Sequence, residues 1–201
     1  RRQRQMCIRD RSFFGRINYN YDEKYLLEAN VRYDGTSRFA KDNRWGCFPS
    51  FSAGWNFSKE KFMSFADPVL QMAKLRASWG ELGNQNVGDN FYPYLVAIES
   101  VDKAYPIGNQ LNTGFQQIAL GNKNIKWETI RMLNIGVDFA LFNNRLTVSA
   151  DWFKKNNMDA LVRPSFPLVI GKWQKDSSRD YLPLENLGEV ESRGWEINLA
   201  W

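Results

Sequence analysis

The stretch from Leu133 to Trp152 alternates apolar and polar residues on both sides of the pair Asn143-Asn144. Successive strand side chains point to opposite faces, so Leu133, Ile135, Val137, Phe139 and Leu141 share one face while Asn134, Gly136, Asp138 and Ala140 share the other. Past the asparagines, Leu146, Val148, Ala150 and Trp152 alternate with Arg145, Thr147, Ser149 and Asp151. Asparagine tolerates the positive φ of a tight hairpin, and the spacing predicts two strands joined at that pair. A sheet built this way has one uncharged apolar face, which must meet either a protein core or lipid.

The plan recurs along the chain. Phe13, Gly15, Ile17, Tyr19 and Tyr21 alternate with Phe14, Arg16, Asn18 and Asn20, and after Asp22-Glu23-Lys24 the residues Tyr25, Leu27, Ala29, Val31 and Tyr33 alternate with Leu26, Glu28, Asn30 and Arg32. A polar loop, Asp34 to Gly46, carries Phe39 and Trp45. A third strand, Cys47 to Phe57, sets Phe51, Ala53, Trp55 and Phe57 against Ser50, Ser52, Gly54 and Asn56, with Pro49 confined to its start. Ser58 to Phe65 suits a short helix opened by a serine N-cap. Leu75, Ala77 and Trp79 against Lys74, Arg76 and Ser78 form a fourth strand, which Gly80 and Gly83 end.

Leu82 to Lys126, rich in Asn, Gly and Gln, is expected to be an ordered loop with at most fragments of strand, and a loop of that length is usually functional. A second long segment runs from Asn156 to Ser192, and a last strand sets Trp195, Ile197, Leu199 and Trp201 against Glu196, Asn198 and Ala200.

Composition narrows the choices. At 201 residues the chain can bury a core without disulfides. It holds no apolar run of about 18 residues, which excludes a transmembrane helix but not a barrel, whose signal is alternation. The net charge of +5 owes most to residues 1–11, where five arginines face one aspartate. That onset is abrupt and nothing downstream continues it, so a nucleic-acid arm is disfavoured; the segment reads as a non-native leader, with residues 12–201 as the domain. Setting the leader aside leaves Cys47 alone, by default a small buried side chain. There is no histidine, no metal-spaced cysteine set, no phosphate loop and no nucleophile elbow, so no enzyme, metal or cofactor is expected.

Two features separate lipid from core. In an up-and-down meander the longer connections, after the second, fourth and sixth strands, all emerge at one end, the pattern of short periplasmic turns and long extracellular loops. No apolar row contains Lys, Arg, Asp or Glu, and Tyr19, Tyr21, Tyr25, Tyr33, Trp55, Phe57, Trp79, Trp152, Trp195 and Trp201 cluster near strand termini, where amphipathic rings sit at lipid headgroups. The expected fold is all-β, an antiparallel up-and-down meander forming a partial wall of a large transmembrane β-barrel. A soluble carbohydrate-binding β-sandwich and a passive porin remain alternatives.

Several stretches carry a resemblance. Tyr25-Leu-Leu-Glu-Ala-Asn-Val-Arg-Tyr-Asp-Gly-Thr-Ser-Arg-Phe39, Arg44-Trp-Gly-Cys-Phe-Pro-Ser50, Lys74-Leu-Arg-Ala-Ser-Trp-Gly-Glu-Leu-Gly-Asn84, Ile125-Lys-Trp-Glu-Thr129 and Gly188-Glu-Val-Glu-Ser-Arg-Gly-Trp-Glu196 resemble, in order, the barrel of SusC/RagA-type TonB-dependent outer-membrane receptors. The resemblance implies a larger parent with an amino-terminal plug, a barrel of about 22 strands, TonB as energy source and a SusD-like surface lipoprotein as partner. It also implies import of an oligosaccharide or peptide across the outer membrane. On the residues alone, Tyr92, Tyr94, Trp127 and Trp173 are candidate substrate-stacking rings. Arg16, Glu28, Arg32, Arg76, Asp138, Asp151 and Glu196 are candidate lumen-facing polar residues.

Overall fold

A computed structural model of the chain describes residues 8–66, 69–88, 91–107, 110–164 and 183–201. Seven strands form one antiparallel sheet: β1 (Asp10–Tyr21), β2 (Tyr25–Thr36), β3 (Trp45–Asn56), β4 (Leu70–Asn84), β7 (Glu128–Leu141), β8 (Leu146–Val162) and β9 (Glu185–Ala200). Between β4 and β7 the chain makes an excursion containing a separate two-stranded ribbon, β5 (Ala97–Ile107) with β6 (Gln110–Ala119). Neighbours in the main sheet are neighbours in sequence except at β4 and β7, which pair directly across the excursion.

The register keeps the two faces apart over the whole sheet. One lateral row runs Tyr19, Leu27, Ala53, Ala77, Ile135, Trp152, Trp195, and the adjacent row on the opposite face runs Asn18, Glu28, Ser52, Ser78, Asn134. A one-residue slip at any pairing would turn one strand's apolar set over, so the common register selects against it. The apolar face is uncovered: Ile17 is 74% exposed and Ile197 72%, and Phe51, Leu75 and Ile135 are exposed between them. The buried cluster lies elsewhere, at the end of the long connections, where Phe39, Val87 and Ile125 pack with Trp127, Leu161 and Leu184.

The β7–β8 hairpin forms at the expected asparagines, with Phe142, Asn143 and Asn144 all at positive φ (54°, 56° and 62°). The first hairpin turns in the same way, with Asp22 and Glu23 both at 51°. Both turns lie at the end of the sheet opposite the buried cluster, together with the β3–β4 connection, and backbone bonds tie that end into one layer: Asn56 N–H donates to Lys24 O at 2.7 Å and Phe142 N–H to Val69 O at 2.9 Å.

Several expectations need correction. The strands of the main sheet run 12 to 17 residues, longer than their apolar rows, because the ladders continue past those rows to the bases of the long connections. Strand four does not end at Gly80 but continues to Asn84, and β8 and β9 extend into the segment taken as loop after Asn156. Ser58 to Phe65 forms 3₁₀ turns, Phe57–Lys59 and Lys61–Ala66, rather than a capped helix; no side chain caps the first of them. The span Leu82 to Lys126 contains a full ribbon, hidden in the sequence because its ladder carries register shifts and mixed Glu99, Asp102 and Lys103. Cys47 is exposed on the apolar face, not buried.

Candidate functional site

The charged face of the sheet is organised by Arg76. On β4 its neighbours in the register are Gly54 of β3 and Gly136 of β7, and the strand beyond presents Asp151 opposite Gly136. Arg76 Nε lies 2.6 Å from Asp138 Oδ2, and Nη2 donates to Asp138 Oδ1 at 2.9 Å. The same Nη2 reaches past β7 to both oxygens of Asp151 at 3.2 Å. Gly136 makes this possible, since a Cβ there would overlap Asp151 Oδ1. Three strands are thus linked by one guanidinium, whose rigid fork suits two carboxylates.

Other charges on that face are paired close to home. Arg16 Nε donates to Asn30 Oδ1 at 2.7 Å, and its Nη2 lies 3.3 Å from Glu28 Oε1, to which Asn30 also donates. Arg32 donates to Asp34 at 2.7 Å. Glu196 stands opposite Asp151 in the β8–β9 register. All seven polar residues singled out in the sequence therefore share one face, and three of them, Arg76, Asp138 and Asp151, come together. A groove of about 460 Å³ on this side of β1–β4 is lined by Asn18, Asn20, Glu28, Ser52, Lys74, Arg76, Ser78 and Asn134 among others.

The candidate rings are divided. Trp127 is built into the packing of the long connections: its ring meets Phe39 and Phe48 edge-on at 5.6 and 5.5 Å, and its indole N–H donates to Arg44 O at 3.0 Å. Gly46 and Gly83 leave room for the Phe48 ring, which a Cβ at either position would overlap. Tyr92 and Tyr94 lie on the excursion in a T-shaped pair, 6.2 Å apart at 90°. Trp173 falls outside the described residues.

The same end holds polar ties that sequence reasoning missed. Buried Glu128 accepts from Asn84 at 3.1 Å and from Asn157, joining the ends of β4, β7 and β8. Asn186 bridges Lys126 O and Asp159 O, and Asn122 donates to Leu184 O at 2.9 Å. A conspicuous density of asparagines near strand ends was the signal, but it named no partners.

Known proteins share this wall. The family described as TonB dependent receptor-like, beta-barrel matches residues 4–201. TonB-dependent receptor SusC of Bacteroides thetaiotaomicron is 35% identical over 189 residues, covering 94% of this chain and 18% of its own length. The structure of the RagAB peptide transporter superposes with a TM-score of 0.80 at 26% identity, covering 96% of this chain and 20% of that one. The siderophore receptor PirA from Pseudomonas aeruginosa shares the fold alone, with a TM-score of 0.58 at 16% identity, covering 96% of this chain and 31% of that one. The chain thus spans about a fifth of the length of its curated relatives, and the PirA match extends the architecture beyond the SusC and RagA type. The sorted faces, the loop-end core and these matches agree: the chain belongs to the TonB-dependent receptor β-barrel family, as a segment of SusC/RagA-type wall.

Proposed function

We propose that the parent of this chain imports a large nutrient, an oligosaccharide or peptide, across the bacterial outer membrane, driven by TonB and lidded by a SusD-like surface lipoprotein. The observation that carries the reading is the uncovered, charge-free apolar face set against a face of paired charges. Fully burying a Leu, Ile or Phe side chain is worth about 1.5–3 kcal/mol, and leaving a row of them in water on every strand would outweigh the 5–15 kcal/mol that typically holds a domain together. Lipid removes that conflict, and the opposite face then lines the lumen.

In this reading residues 12–201 are a stretch of wall, the plug lies elsewhere in the parent, and Asn143-Asn144 is a periplasmic turn. Arg16, Glu28, Arg32, Arg76, Asp138, Asp151 and Glu196 face the lumen, largely committed to one another or to Asn30 and Asp34. Tyr92 and Tyr94 are the rings best suited to stack on a sugar or peptide at the mouth. Placing the long connections outside the cell accounts for their mutual packing around Phe39 and Ile125, which holds a binding mouth in shape.

In the intact receptor, Val137→Arg puts a charge on the lipid face at a cost of roughly 2–4 kcal/mol and should abolish heat-modifiable barrel formation, while Asn134→Arg should assemble. Equal tolerance of the two would refute the facing. Growth of a deletion strain on defined glycans and on peptides then separates the two substrate classes.

A further inference from the structure

The connection between β3 and β4 leaves the sheet toward the apolar face. The Phe57 ring meets Trp55 at 5.8 Å and Phe139 at 6.2 Å, and these belong to the apolar rows of β3 and β7, the strands on either side of β4. Phe57 therefore crosses over β4, where Ala73, opposite Phe139, is fully buried while Leu75, two residues along the same row, is exposed. Glu60 follows on the same side: it accepts from Tyr25 Oη at 2.8 Å and lies 3.5 Å from the Trp55 indole nitrogen and 3.8 Å from Lys24 Nζ. Tyr25 and Trp55 stand opposite each other in the register, at the ends of their apolar rows. The strands involved, β2, β3, β4 and β7, are each paired on both sides, so the arrangement is internal to the wall. Beyond Glu60 the chain makes the 3₁₀ turn Lys61–Ala66, in which residues three apart eclipse one another. Phe62 and Phe65 thus share one side of the turn, 60% and 78% exposed.

We propose that this turn lies in the headgroup region of the periplasmic leaflet, with Phe62 and Phe65 inserted among phospholipid acyl chains, a reading that rests on the membrane placement given above. Through Phe57 and Glu60 the segment is continuous with the lipid face, and it stands at the short-turn end, which that placement puts at the periplasmic leaflet. The wall separates it from the lumen, so nothing held inside the barrel reaches these rings. Glu60, the one acid between Phe57 and Ala66, is held by Tyr25 and Lys24 and sets no bare charge beside them. Exposed Lys61, at the head of the turn, suits lipid phosphates, as cations do on elements that lie in the interface plane. Seated there, the turn braces the periplasmic rim of the wall against the bilayer.

The test uses the intact receptor with Cys47→Ala and any other cysteine replaced by alanine, assembled in phospholipid nanodiscs. Phe62→Cys, Phe65→Cys, Ile135→Cys and Lys41→Cys each carry a nitroxide, with Ile135 as the lipid-face reference and exposed Lys41, at the long-connection end, as the aqueous one. Collisions with oxygen relative to those with a water-soluble nickel chelate report depth. The ratio at 62 and 65 should lie above that at 41 and below that at 135. Ratios at 62 and 65 equal to that at 41, with 135 in lipid, overturn the insertion and leave the membrane placement standing. A ratio at 135 as low as that at 41 overturns the placement, and the insertion with it.

Discussion

A methyl group at position 136 would occupy the space through which Arg76 reaches Asp151. Gly136→Ala should therefore cost about 1–3 kcal/mol, the range for a hydrogen bond to a charged group left unmade, read as a lower denaturant midpoint of the intact receptor in detergent. Ser78→Ala, on the same face without a charge to strand, should stay within about 0.5 kcal/mol of the wild type. Coincident midpoints for all three proteins would mean the third-strand link adds nothing. At Trp127 the structural role and a ligand role part company in measurement. Removing the ring as Trp127→Ala should cost about 3–5 kcal/mol because its contacts with Phe39 and Phe48 vanish. Trp127→Phe keeps much of the packing and loses only the bond to Arg44 O. A ring serving substrate alone would instead lower affinity for the ligand and leave unfolding unmoved.

The elements at the short-turn end carry both strain and charge. Phe142 sits in the left-handed region, where a side chain costs about 1–2 kcal/mol, so Phe142→Gly should leave stability unchanged or raise it by up to about 1 kcal/mol once the extra freedom of the unfolded glycine is counted. A midpoint that falls instead would assign the Phe142 ring an anchoring role. In the neighbouring connection, Glu60 accepts from Tyr25 Oη at 2.8 Å, and that bond first, with Trp55 and Lys24 adding to it, holds its carboxyl below the ordinary carboxylate range. Glu23 is lowered likewise by its bond to Lys59. A carboxyl depressed in the folded state stabilises fully above its unfolded pKa, and the contribution is lost as pH falls through the lower folded value. The protection factor of the Asn56 amide, which bonds to Lys24 O, should accordingly fall on acidification into that window. Glu60→Gln should flatten the response; a profile unchanged by the substitution would separate the amide from this carboxyl.

For the whole molecule, alternation was legible in the sequence wherever one face met a uniform environment. Leu133 to Leu141 and Phe13 to Tyr21 announce their facing because every second residue belongs to one uncovered apolar row. The β5–β6 ribbon was not legible, since Glu99, Asp102 and Lys103 break any period. Asp138 and Asp151 could be placed on a common face from the sequence, but their sharing of Arg76 depends on a cross-strand register that only the assembled sheet fixes. The candidate rings fared unevenly for the same reason: Trp127 and Tyr92 look alike as aromatic residues in polar segments, and what distinguishes them is the company that tertiary packing gives each.

The direct pairing of β4 with β7 has a consequence for how such a protein diversifies. The fourteen-residue ladder from Leu70↔Leu141 to Asn84↔Glu128 seals the wall beneath the excursion, so the intervening segment can lengthen, shorten or be exchanged while the wall below keeps its register. Loop-closure entropy penalises such changes only logarithmically, about 0.6 kcal/mol per doubling. Selection can therefore rewrite the excursion at one tempo and hold the wall to another; under the proposed function, grafting residues 91–121 from a relative into the intact receptor should transfer ligand preference without altering assembly.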